Sequence, residues 1–160
     1  MCGSFLVLLL TSMRLNLLQS INAVERDTVG SLLYPIIVYG CYLAYLNFDS
    51  MSMYYIPILV LAVSDPVAAL VGKRAGWGPF TVFGHQKTLA GSLGFFVSAF
   101  VLCICVLNVL QMFEEDSPRG LIAFAVAGCA TVAEALSHKG YDNLTIPAVA
   151  LAIMIAFESV

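Results

Sequence analysis

The sequence is short of charge: only 11% of its 160 residues are Asp, Glu, Lys or Arg, against 61% that are apolar. With a mean hydropathy of +0.94, that balance excludes a soluble globular domain and identifies an integral membrane protein. No basic face for nucleic acid can be assembled from it. The five cysteines, Cys2, Cys41, Cys103, Cys105 and Cys129, have no CxxC spacing and no clustered histidines beside them. Lying in apolar runs, they read as small core residues, with neither disulfides nor a metal assigned. The opening "MCGSFLVLLLTSMRL" lacks a basic residue ahead of its apolar run and a small-residue cleavage site. It therefore reads as a short first membrane helix rather than a removable signal peptide. Glycine is third rather than second, which gives no signal for myristoylation. "GHQKT" at 84–88 lacks the GxxxxGK[ST] spacing and the preceding soluble strand, so it is not a Walker motif.

What is present is a series of spans. A membrane helix needs about 20 mainly apolar residues, and segments 2–18, 30–48, 52–72, 90–112, 120–137 and 143–158 qualify. The expected fold is an all-α, polytopic transmembrane bundle of five to six spans, with residues 1–160 as one membrane domain. "DSPRG" at 116–120 predicts a helix start, with Ser117 as N-cap and Pro118 at the first helical position.

The net charge of −3 matters less than where the charges fall. Connections alternate: 14–29 holds Arg14 and Arg26, 49–51 holds only Asp49, and 73–89 holds Lys73, Arg74, His85 and Lys87. The turn at 113–119 is acidic, with Glu114, Glu115 and Asp116 beside Arg119, whereas 138–142 holds His138 and Lys139. The positive-inside rule then puts 14–29, 73–89 and 138–142 in the cytosol. Glu25, Asp65, Glu134 and Asp142 fall toward that same side, and the sequon "NLT" at 143–145 is expected there, unglycosylated.

Asp65 sits seven or eight residues before the end of its predicted span, roughly 10 Å deep at about 1.5 Å per residue. A charged aspartate at mid-bilayer costs about 2.5–3.5 kcal/mol even on the lenient insertion scale, so it faces protein, water or a cation. Ala68, Ala69 and Gly72 give its helix face a small-residue surface, which suits close packing as well as a ligand cavity. The following stretch "GKRAGWGPFTVFGHQKTLAGS" adds three cations and five glycines. Gly-rich backbone and a helix N-terminus near Ala90–Ser92 can hold phosphate oxygens while Lys73, Arg74 and Lys87 neutralise charge. The plain alternative for Lys73 and Arg74 is topogenic anchoring. Glu134 shares a helical face with Ala130, Thr131, Ser137 and His138, at a nearly interfacial depth. His138-Lys139 reads equally as a solvated anchor. Asp142-Asn143 reads as the cap of the last helix, whose early Pro147 lies where missing donors are cheap, but acids on successive spans can also hold magnesium.

Three blocks, "ERDTVGSLLYP" (25–35), "SDPVAALVGKRAG" with "KTLAGSLGFF" (64–76 and 87–96), and "EALSHKGYDNLTIP" (134–147), resemble the polyprenol kinase family of membrane enzymes. That family includes CTP-dependent dolichol kinase, phytol and farnesol kinases and yeast-type diacylglycerol kinase. The resemblance implies transfer of the terminal phosphate of CTP, with Mg²⁺, to a lipid alcohol. By position it makes Asp65, Lys73, Arg74, Lys87, Thr88, Gly91, Ser92, Glu134, Asp142 and Asn143 the site candidates, with 73–89 as nucleotide-binding segment, in which Gly84, like Gly91 after it, would let the backbone approach the phosphates. Asp65 with Asp142, or Glu134, is expected to hold the metal. One remaining acid would orient or deprotonate the lipid hydroxyl, and the choice of acid stays open. Members usually carry further N-terminal helices ahead of the Glu25 block, so a minimal form or a fragment is expected. The wider superfamily includes phosphatidate cytidylyltransferases, whose acidic ending is replaced here by "YDNLTIP", which favours the kinase. A small transporter would explain the intramembrane acids but not the cationic, Gly-rich segment. An assembly subunit would use the small-residue faces to pack, with the short length in its favour. The particular lipid alcohol and the oligomeric state are left open.

Overall fold

A computed structural model of the chain describes residues 29–110, 118–137 and 140–158. In chain order the elements are α1 (Val29–Phe48), α2 (Ser52–Leu59), a π-helical turn (Val60–Ser64), α3 (Asp65–Ala75), a hairpin of β1 (Pro79–Val82) and β2 (His85–Thr88), then α4 (Leu89–Val109), α5 (Arg119–Leu136) and α6 (Asp142–Glu158). The predicted span 2–18, and with it Cys2, Arg14, Glu25 and Arg26, lies outside the described residues. So do Glu114, Glu115, Asp116, Ser117, His138 and Lys139. The helix predicted from 120 begins at Arg119, with Pro118 rather than Ser117 as its N-cap.

Three helical rods are long and apolar enough to cross a membrane: Ser52–Ala75, which runs unbroken through the π turn, Leu89–Val109 and Arg119–Leu136. The apolar part of α1, Leu33–Phe48, is shorter. α4 shows why these are membrane helices. One face, Phe95, Ala99, Cys103 and Leu107, is fully buried at four-residue spacing, while the other, Leu89, Leu93, Val97 and Val101, is exposed and equally apolar. A water-facing helix would carry charge on that second face. Here it faces lipid, as do Leu121, Phe124, Val132 and Leu136 on α5. The described cysteines are free, Cys41 and Cys103 buried and Cys105 and Cys129 exposed.

Packing follows chain order, α4 lying between α3 and α5, α5 against α6, and α6 against α1 and α2. Without a hydrophobic force between helices in lipid, close backbone approach through small residues supplies much of the attraction. At the α3–α4 crossing a Cβ on Gly91 would stand 3.0 Å from the Ala68 carbonyl oxygen and 3.0 Å from Thr88 Oγ1, and one on Gly72 would stand 2.7 Å from Thr88 Oγ1. Gly91→Val should therefore force the two helices apart, lowering stability by about 1–3 kcal/mol. An unchanged thermal midpoint in detergent would contradict that account.

The π turn has a cause in Pro66. A proline within a helix lacks the N–H for residue i−4 and drives its ring into that carbonyl, here that of Ala62. Widening the turn over Val60–Ser64 relieves the clash and places Asp65 as the first residue of α3. At the far end, around the α1–α2 turn, Tyr42, Tyr45, Met51, Tyr54 and Tyr55 line an open cavity of about 310 Å³. Such tyrosines suit the membrane–water boundary, where the ring is buried and the hydroxyl wet.

The segment 73–89, expected as a loop, is ordered throughout. Lys73 and Arg74 form the last turn of α3, where cations complement the helix dipole. The helix stops at Gly76, whose φ of 62° is left-handed and whose N–H returns to the Gly72 carbonyl at 3.1 Å. β1 and β2 pair antiparallel from Pro79↔Thr88 to Val82↔His85. Phe83 and Gly84, with φ of 47° and 81°, make the two-residue connection. Two successive positive φ angles are the requirement of the hairpin turn whose twist matches its strands. Gly84 thus serves the turn, at an exposed tip with no atom within 4 Å of where a Cβ would be.

Candidate functional site

One end of the bundle gathers the C-termini of α3 and α5, the N-termini of α1, α4 and α6, and the hairpin. Gly30, at the start of α1, abuts α6: a Cβ there would stand 2.8 Å from Asn143 Nδ2 and 3.0 Å from the Gly140 carbonyl. Ser137 and Thr145 share a hydroxyl hydrogen bond that ties the end of α5 to α6. The hairpin is anchored to α4 by the Leu89 N–H, which donates to Gly78 O at 2.9 Å.

The centre is an ion pair. β2 carries Lys87 over the end of α5, and its Nζ donates to Glu134 Oε1 at 2.6 Å and to the Glu134 backbone carbonyl. Capping a C-terminal carbonyl with an ammonium also opposes the negative end of the α5 dipole. Glu134 lies in the last turn of α5, the nearly interfacial depth expected for it, yet it is buried in the protein because it continues the inward stripe of Ala123, Ala127 and Ala130. Its second oxygen, Oε2, is buried with no hydrogen-bond partner among the described residues. The hydroxyls of Ser92 and Ser64 are buried and unpartnered on the same terms. An unsatisfied buried oxygen costs about 1–3 kcal/mol, which makes each a place where a ligand's donor would be welcome.

The expected phosphate cradle at the start of α4 has a different use. Thr88 is the N-cap and accepts the Gly91 N–H at 3.1 Å, while the Leu89 and Ala90 N–H groups point to Gly78 O and Trp77 O at 2.9 and 3.5 Å. Those three donors, which a free helix start would offer an anion, are consumed by the chain itself. Thr88 and Gly91 therefore shape the α3–α4 crossing, and the positive charge at this end is carried by side chains. Lys73 and Arg74 are exposed, and Lys87 is partly so.

The acids are spread over different heights. Asp65 is half-buried, ten residues before Ala75, or about 15 Å along the axis at about 1.5 Å per residue. Asp142 opens α6 and uses Oδ1 to accept the Asn143 N–H at 3.0 Å, which bears out its reading as a helix-start residue. Pro147 comes later than the first turn, inside α6. Among the described residues no three His, Cys, Asp or Glu side chains come together as a metal cage. The donors present are hard oxygens, of the kind Mg²⁺ takes one or two at a time while substrate phosphates supply the rest. Sequence reading missed Ser64, Gly30 and the Ser137–Thr145 link, whereas Gly72 stands in the close packing that the small-residue face allowed for.

Two curated proteins are similar to this chain in sequence. Phytol kinase of Synechocystis sp. (strain ATCC 27184 / PCC 6803 / Kazusa) is 32% identical over 140 residues, covering 85% of this chain and 58% of that protein. Dolichol kinase of Saccharomyces cerevisiae (strain ATCC 204508 / S288c) is 33% identical over 126 residues, 78% of this chain and 23% of that protein. No protein-family model matches, and no solved structure does. These two matches support assigning the chain to the polyprenol kinase family. The chain spans 58% of the length of the one relative and 23% of the other.

Proposed function

We propose that this chain carries the phosphoryl-transfer site of a kinase that moves the terminal phosphate of CTP to the hydroxyl of a membrane lipid alcohol. The observation that carries the reading is the Lys87–Glu134 pair, held by an ordered hairpin at the bundle end where the cations collect. Of the four Lys and Arg among the described residues, Lys73, Arg74 and Lys87 lie at this end and Arg119 at the other. By the positive-inside rule that end faces the cytosol, where nucleotide is available. The names of the two relatives, phytol kinase and dolichol kinase, support the acceptor class.

Phosphoryl transfer asks little covalent chemistry of a protein; positioning and neutralisation of charge supply most of the acceleration. Lys73 and Arg74, exposed on the last turn of α3, grip the outer phosphate oxygens. Lys87, with two of its three N–H donors directed at Glu134, presents the third to the transferred group. Glu134 is already neutralised by that ammonium at 2.6 Å, so a metal role falls to Asp142 at the bundle end, followed by Asn143 in the chain, or to Asp65 deeper on α3. Mg²⁺ bound there would offset negative charge on the triphosphate. The lipid hydroxyl reaches the site sideways from the bilayer, since an alcohol on an apolar chain rests at the membrane edge.

The test incubates membranes containing the protein with CTP labelled at the α or the γ phosphate and a panel of phytol, farnesol, dolichol and diacylglycerol. Label entering lipid from the γ position alone is expected. Label from the α position would assign CMP transfer instead, and none from either would support a transport or assembly role.

A further inference from the structure

We infer that Glu134 is the residue that receives the proton of the lipid hydroxyl, its Oε2 being the acceptor and Lys87 the clamp that aims it. The inference rests on the kinase reading and settles which acid does this work.

The three candidate acids differ in what their oxygens are already doing. Asp142 has turned an oxygen back to its own helix, accepting the Asn143 N–H. Asp65 lies about 15 Å down α3 from its end, deeper than a hydroxyl at the membrane edge would reach. Glu134 is in the last turn of α5, at the height of the hairpin, and its side chain is fixed: Oε1 is held at 2.6 Å by Lys87. That leaves Oε2 buried, ionised beside an ammonium and without a donor among the described residues. A carboxylate oxygen that is desolvated yet unpaired binds an incoming O–H more strongly than one that must first shed water. The pair also solves a charge problem. A bare carboxylate would repel the triphosphate, whereas one clamped by Lys87 stands next to it with the ammonium between them. If the third Lys87 donor holds an oxygen of the terminal phosphate, Oε2 lies on the flank of that phosphate, where the attacking hydroxyl must come.

The step balances simply. The lipid oxygen forms a bond to the γ phosphorus as the bond from that phosphorus to the β–γ bridging oxygen breaks. The nucleoside diphosphate departs with that electron pair, and the hydroxyl proton moves to Glu134 Oε2, from which water at the site mouth removes it. The arrangement explains why a buried acid is tolerated with one oxygen unsatisfied, which a purely structural ion pair would not require.

The experiment compares wild type, Glu134→Gln and Glu134→Asp in the full-length protein in membranes, measuring γ-label transfer to lipid alcohol and, separately, equilibrium binding of a fluorescent CTP analogue. Gln keeps an acceptor for Lys87, so nucleotide affinity should stay within about threefold. The turnover rate should fall about 100-fold or more, the lower range for loss of a general base. Asp should recover part of the rate. Turnover of Glu134→Gln within fivefold of wild type would overturn the inference, and so would a parallel loss of nucleotide binding and rate in both variants. If wild type itself transfers no γ label, the kinase reading fails first and takes this inference with it. An active wild type with an active Glu134→Gln leaves the kinase reading standing and removes only the assignment of the base.

Discussion

Asp65→Asn should reduce phosphoryl transfer by at least about 10²–10³-fold, the range seen when one electrostatic stabiliser of a transition state is removed. The amide has nearly the shape of the carboxylate, so the helix surface formed with Ala68 against Gly91 is kept. Losing a charge from a span makes insertion easier, by up to about 2.5–3.5 kcal/mol on the lenient scale. The variant is therefore expected in the carbonate-resistant membrane fraction in wild-type amount, or more, with its transfer activity gone. Activity within tenfold of wild type would show that the acid at the π turn is a packing residue after all. That would detach the deep half of α3 from the chemistry.

Lys87→Met is expected to be the most damaging single change to stability. It strands the Glu134 carboxylate in a site where the side chain is 10% exposed, and breaking one side of a buried pair costs about 3–5 kcal/mol. Glu134→Leu should be costly for the reciprocal reason, tempered because Lys87 keeps 19% exposure and can extend toward water. Replacing both should restore much of the loss, since an apolar pair of similar volume avoids the desolvation altogether. Thermal midpoints of the four proteins in one detergent close the cycle. A double variant as unstable as the sum of the singles would show that the two groups do not act as a pair. The restored double variant should still be inactive, which separates folding from chemistry.

The helices were legible because lipid imposes one simple demand. A run such as Leu89–Val109 must be apolar on every face and about 20 residues long, and both properties are visible in a linear sequence. The hairpin was not legible. Its strands are four residues each, Pro79–Val82 and His85–Thr88, too short for a period to register, and Gly84 reads as readily for phosphate as for a turn. The backbone of the motif around Lys87 and Thr88 is used otherwise than for the phosphate cradle expected there. Thr88 and Gly91 are bound up in capping and helix crossing, and only their neighbour Lys87 directs its charge into the site. The partner of Lys87 lies 47 residues away. A charged side chain on a strand gives no sign of which helix end it will meet until α4 and α5 have packed.

The widened turn at Val60–Ser64 gives the rod Ser52–Ala75 two independent rotational phases. One extra residue in a turn advances everything beyond it by about 100° around the axis. The half that packs beneath the tyrosines and the half that bears Asp65 can thus each be oriented for its own neighbours, as if two screws of one thread had been joined by a swivel. A sequence that shed that single residue would keep the length and oiliness of the span, yet would turn its carboxylate toward a different quarter of the bundle.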